Sequence, residues 1–229
     1  MLYIYHHLGL GDHIVCNGIL REYSNIFSEI GLFCKDQYYE SINFMYRDLK
    51  NLTVIPVKDS DNGVFRYLNK NNINWNDVIK IGAYGNCWGQ DKTITFDKNF
   101  YLQSSISFEK RWDSFYFERD IEREDNFFNF LNISFPYILI HEDRERGFIL
   151  DRKYLKSNNI IEINNLLTNN IFDYTKIFQK ASEIHVIESC FLFLADSIEL
   201  ETKQIYAHRY ARKYEWISKP NLKKEWIIL

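Results

Sequence analysis

Two kinds of apolar pattern alternate along the chain. Short blocks of β-branched and aromatic residues, "LYIYHH" (2–7), "IGLFCK" (30–35), "LTVIPV" (52–57) and "DVIKIG" (77–82), read as strands. Between them lie stretches with apolar residues at helical spacing. In "HIVCNGILREYSNIF" (13–27) these are Ile14, Val15, Ile19, Leu20, Tyr23 and Phe27, and "QYYESINFMYRDL" (37–49) and "VFRYLNKNN" (64–72) behave alike. Asp12 stands where it would cap the first of these helices. A second series begins near Pro136: strands in "PYILIHED" (136–143), "IIEIN" (160–164), "IHVIES" (184–189) and "KQIYAH" (203–208), and helices in "FDYTKIFQKASE" (172–183) and "CFLFLADSIE" (190–199). The charged, aromatic segment 99–133 between the two series reads as a mostly helical connector.

Strands alternating with helices at this pitch specify βαβ units and parallel sheets. The expected fold is α/β: two small Rossmann-like halves, residues 1–118 and 119–229, with their parallel sheets facing across a cleft. Ligands of open α/β sheets sit outside the carboxyl ends of the strands. Three loops are therefore singled out: those after "YIYHH", "YILIH" and "IHVIE".

Composition narrows the class. The 229 residues are 46% hydrophobic and 26% charged, as expected for a soluble globular protein, and the net charge of −3 with scattered Lys and Arg argues against a nucleic-acid partner. No apolar run is long enough to span a bilayer, and the N-terminus enters a strand at once without a signal-peptide pattern, so a cytoplasmic location is expected. Cys16, Cys34, Cys87 and Cys190 are widely spaced in apolar contexts, which suits buried thiols in a reducing compartment and not a zinc site.

The first loop, "LGLGDH" (8–13), has Gly9 and Gly11 but Ile14 where a dinucleotide fingerprint needs its third glycine, and no G-K-[ST] follows. It offers Asp12 as a general base, with His13 as its rival or orienting partner, or else Asp12 as a simple helix cap. The second, "HEDRERGF" (141–148), carries Arg144 and Arg146, whose planar forks suit a diphosphate; Glu142, Asp143 and Glu145 could equally pair with them. The third, "VIESCFLFLADS" (186–197), places Ser189 and the Cys190 amide at a helix N-terminus suited to phosphate, with Glu188 able to accept from ribose hydroxyls. Cys190 as a nucleophile lacks a readable histidine partner. Asp59-Ser60-Asp61 matches D-x-D, but Asn62-Gly63 marks an ordinary turn, so no metal is expected.

Together these stretches carry a resemblance. "YIYHHLGLGDHIVCNGILR" (3–21) resembles the N-terminal strand–loop–helix of GT-B glycosyltransferases of the heptosyltransferase-like group. "FEKRWDSFYFERD" (108–120), "PYILIHEDRERGFILD" (136–151) and "IHVIESCFLFLAD" (184–196) are similar to small glycosyltransferase-like proteins of bacterial polysaccharide clusters and large viruses. The resemblance implies transfer of a sugar from a nucleotide-diphosphate donor to an acceptor hydroxyl on a glycan or glycolipid, inverting and metal-free, with no cofactor beyond the donor. It implies Asp12 as catalytic base and a donor site in the second half, with Gly11, Arg144, Arg146, Glu188, Ser189 and Cys190 around the substrates. Where the group has D-x-G-x-x-H this chain has Glu188, Cys190 and Phe193, so donor identity is left open. A non-catalytic nucleotide-sugar or glycan-binding module and a nucleotide-sugar epimerase are the alternatives. The end "HRYARKYEWISKPNLKKEWIIL" (208–229), with Trp216, Ile217, Trp226 and Ile227, is expected to pack back on the first half, with peripheral membrane contact as the other option.

Overall fold

A computed structural model describes residues 1–58, 60–82, 94–164, 166–211 and 220–229. The chain forms two compact units, one of residues 1–118 with 216–221 and one of residues 119–215 with 222–229.

In the first unit β1 (Leu2–His6) leads into α1 (Leu10–Val15) and α2 (Asn17–Ser24). Then come β2 (Ile30–Lys35), α3 (Tyr39–Met45), β3 (Leu52–Val57), α4 (Asp61–Lys70), β4 (Val78–Ile81), α5 (Phe96–Ser104) and α6 (Lys110–Asp113). The sheet order is β3-β2-β1-β4, every pair parallel. Ile4, Leu32 and Phe33 are wholly buried, as expected of parallel strands covered on both faces. The chain steps outward from β1 to β3, then returns to β4 on the other side of β1. That reversal makes the carboxyl end of β1 the switch point of the sheet.

In the second unit α7 (Ile121–Phe130) is followed by β5 (Ile138–His141), β6 (Ile160–Glu162), α8 (Thr175–Lys180), β7 (Glu183–Val186), α9 (Cys190–Ser197), β8 (Ile205–Ala207) and β9 (Ile227–Ile228). The order β6-β5-β7-β8-β9 is again all parallel, with its switch point between β5 and β7. The loops after β5 and β7 flank that point.

Three sequence expectations change. The first helix is two, meeting at Cys16, and it begins at Leu10 with Gly9 as its cap, so Asp12 falls in the first turn and does not cap it. The terminal strand β9 was not foreseen. Trp226 and Ile227 belong to the second unit and not the first: Leu229 donates its amide to the Ala207 carbonyl, and the buried Trp226 donates its indole N–H to Asp196 at 2.9 Å. Asp196, itself wholly buried, also accepts from the amides of Lys223 and Lys224, so one carboxylate gathers three donors of the returning segment. Asn221, just before it, bonds Thr95 and Asp97 in the first unit. Trp216 and Ile217, like Cys87 and Asp59, lie outside the described residues. Among the described residues no helix is long and apolar enough to cross a membrane.

Candidate functional site

The loop after β1 holds three histidines in three different environments. His6 ends β1 wholly buried, and its Nδ1 lies 2.6 Å from the His7 carbonyl, to which it donates. Burial pushes its pKa down to about 4, so the ring is neutral. His13, one turn into α1, is also wholly buried and packs edge-on against His6 with ring centroids 4.1 Å apart. Burial holds its pKa well below the usual value, and neither ring nitrogen finds a partner among the described residues. The expectation that His13 competes as a base at the surface meets a neutral ring with no accessible face.

His7 points the other way. Its side chain is 54% exposed, and its Nδ1 lies 2.9 Å from Asp12 Oδ2, itself 18% exposed. An ionised carboxylate only accepts, so the Nδ1 of His7 carries the hydrogen and Nε2 presents a lone pair. The hydrogen bond that His7 donates to Asp12 is the main cause that raises the His7 pKa, burial opposing it. Gly9 lets this pair form: a Cβ at residue 9 would collide with Asp12 Oδ2. Gly11 sits half-buried in the first turn of α1 beside Asp12. Asp61, from the questioned D-x-D stretch, accepts from the Tyr5 hydroxyl at the start of α4.

In the second unit the loop after β5 folds into a tight hairpin. Asp143 and Phe148 exchange backbone hydrogen bonds, and Gly147 takes φ +75°, a left-handed turn position. Both candidate arginines are matched by acids. Arg144 reaches Glu142 at 2.6 Å and Glu162 at 3.1 Å, while Arg146 reaches Asp143 at 2.5 Å and lies over the Phe148 ring. Glu142 is buried and also binds Arg152 and the Leu150 amide. Self-pairing, the plainer of the two expectations for this loop, is what these side chains do.

After β7, Ser189 caps α9 by accepting the Phe191 amide at 3.2 Å, and Cys190 is the first helical residue, partly exposed. Glu188, 15% exposed, faces Arg209 at 2.9 Å. Arg209 follows β8, the strand beside β7, and its position there is marked in the sequence by following directly on "KQIYAH" (203–208). His7 and Arg209 are the two residues that sequence reasoning passed over. Next to Arg209 a chain runs inward from the exposed Tyr210: its Oη lies 2.9 Å from His208 Nδ1, His208 Nε2 lies 2.8 Å from His185 Nδ1, and His185 Nε2 lies 2.6 Å from Glu183, the last three residues buried. With Glu183 ionised, every proton in that chain points towards it, from Tyr210 through His208 and His185.

No protein-family model matches the chain, and no curated protein matches it. By structure it is similar to the glycosyl transferase family 9 protein of Veillonella parvula, with a TM-score of 0.60 and 12% identity over 99% of this chain and 85% of that one. It also matches the Escherichia coli heptosyltransferase WaaC with ADP, with a TM-score of 0.44 and 8% identity over 91% of this chain and 87% of that one. Two all-parallel α/β units and the first of these matches establish the fold of this chain as that of a GT-B glycosyltransferase.

Proposed function

We propose that the protein transfers a sugar from a nucleotide-diphosphate donor to an acceptor hydroxyl on a glycan or glycolipid. The observation that carries this reading is a solvent-accessible Asp12–His7 pair at the switch point of the first sheet, on a glycosyltransferase fold. The first unit supplies the base: the pair draws the proton from the acceptor hydroxyl, whose oxygen attacks the anomeric carbon as the diphosphate leaves with the bonding electrons. A single displacement from the face opposite the leaving group inverts that carbon. Gly11, without a side chain, leaves the approach to Asp12 open, and His13 supports the loop from inside.

The second unit holds the donor. The Ser189-capped N-terminus of α9, which begins at Cys190, turns the positive end of the helix dipole to the diphosphate. Arg209 adds a guanidinium beside Glu188, and in this reading Glu188 accepts from a ribose hydroxyl. Arg144 and Arg146, already matched by carboxylates, hold the loop of residues 142–152 and contribute less to the phosphates. Base and cations are all side chains, so the reaction is proposed to be metal-independent.

The test has two stages. Thermal-shift measurement with UDP, GDP, ADP and CMP identifies the nucleotide, and UDP-, GDP-, ADP- and CMP-linked sugars are then followed for release of free nucleotide in the presence of a chelator. Asp12→Asn should abolish release and leave nucleotide-induced stabilisation intact. Full activity in that variant removes the role of the pair. Loss of wild-type activity in chelator would return attention to Asp59 and Asp61. Conversion of the sugar without release would make the protein an epimerase, and binding without turnover a carrier module.

A further inference from the structure

The sequence holds six histidines, and the structure sorts them sharply. His6, His13, His141, His185 and His208 are buried, and His7 alone is exposed. Its orientation is fixed at both ends. The backbone carbonyl of His7 is held by His6 Nδ1 at 2.6 Å, and the ring is held by Asp12 Oδ2 at 2.9 Å. Gly9 removes the one Cβ that would push Asp12 away. The carboxylate is therefore spent on the inner nitrogen of the ring, and the outer nitrogen, Nε2, carries the lone pair that faces solvent.

We propose that His7 Nε2 takes the proton from the acceptor hydroxyl, and that Asp12 is a positioning residue acting through it. The inference rests on the transfer reading above and changes which atom is the base. In the step, the O–H electron pair of the acceptor becomes the new bond to the anomeric carbon, and the anomeric carbon–oxygen bond to the diphosphate breaks onto phosphate. The proton goes to Nε2, and the imidazolium formed keeps its Nδ1–H on Asp12, whose charge stabilises it. Two further charges act on the ring: Asp61 at the head of α4 favours its charged form and Lys35 at the end of β2 opposes it, while the buried His13 packs on the neighbouring His6. Tyr5 ties Asp61 in place.

The experiment compares wild type, His7→Gln, His7→Ala and Asp12→Asn. The readouts are release of nucleotide from the panel of UDP-, GDP-, ADP- and CMP-linked sugars over a range of pH, and carbethoxylation by diethyl pyrocarbonate mapped by mass spectrometry. His7 should be the one histidine modified in the native protein, with loss of activity in step. His7→Gln should lower kcat roughly 10²- to 10³-fold with KM for the nucleotide sugar nearly unchanged, and imidazole should restore part of the activity of His7→Ala. Wild-type kcat/KM should rise with pH through the histidine range. In Asp12→Asn any residual activity should keep a histidine limb, moved to lower pH. The proposal is overturned if His7→Gln, folded by circular dichroism, keeps activity while Asp12→Asn loses it, or if the wild-type limb lies in the carboxylate range; transfer itself would then stand. Wild type that releases no nucleotide from any sugar overturns the transfer reading and this inference with it.

Discussion

Glu188 and Arg209 meet at 2.9 Å from the ends of two adjacent parallel strands, each side chain only 15% exposed. The pair places a guanidinium next to the capped start of α9, where the helix dipole favours an anion. The two arginines of the neighbouring loop have their charge spread over Glu142, Asp143 and Glu162.

That contrast gives a first prediction. Arg209→Gln should weaken binding of the nucleotide diphosphate more than about tenfold, in line with loss of one charge-assisted contact of roughly 1.5–3 kcal/mol. Arg144→Gln and Arg146→Gln should each change it by less than about threefold. Titration calorimetry with the nucleotide chosen by thermal shift measures all three. A larger loss at Arg144 or Arg146 would show that the loop of residues 142–152 trades its internal pairs for phosphate.

Gly9→Ala should uncouple Asp12 from His7, because the added methyl would collide with Oδ2. The expected result is a fall in kcat of about tenfold or more, with a smaller change in the unfolding midpoint, since the displaced carboxylate lies at the surface end of the loop. The His7 pKa, followed by NMR, should drop towards that of a free imidazole.

Stability should rise with pH between about 4 and 6.5. His6, His141 and His208 have folded pKa values pushed down to about 4, chiefly by burial. Over that interval the unfolded chain binds protons that the folded chain refuses, so each histidine adds up to about 1.4 kcal/mol per pH unit to the slope. His7 has the opposite sign: its raised pKa contributes stability at low pH that is lost as pH climbs through the folded value. Urea midpoints at pH 5 and 7 should differ in favour of pH 7, and His6→Gln should flatten the dependence.

Asp196→Ala should free the C-terminal return. It leaves the Trp226 indole and the amides of Lys223 and Lys224 without their acceptor, at about 1–3 kcal/mol for each donor that stays buried. A red shift of tryptophan emission and a loss of at least about 3 kcal/mol by denaturant titration are expected. An unchanged spectrum would mean that β9 docks through its backbone pairing with β8 alone.

The sequence by itself determined where the first eight strands lie, that helices separate them, and that the chain divides into two α/β series. Those features are local: a buried parallel strand needs a dense apolar block, and a helix needs its own spacing, whatever else the chain does. It also marked the loop of Asp12 and the turn into α9. What it could not express was partnership. Two adjacent histidines at the end of β1 point to opposite faces, yet only the packed sheet decides that His6 goes in and His7 out, and that Asp12, expected as a base or else a cap, turns back to His7. The arginines of "HEDRERGF" lie close to acids in sequence, but Glu162, which completes the pairing of Arg144, arrives on another strand. Arg209 reaches Glu188, and the short "WII" finds β8, for the same reason. Parallel pairing joins segments separated by whole crossovers, so the identity of a neighbour is a property of the sheet order and not of any stretch of chain.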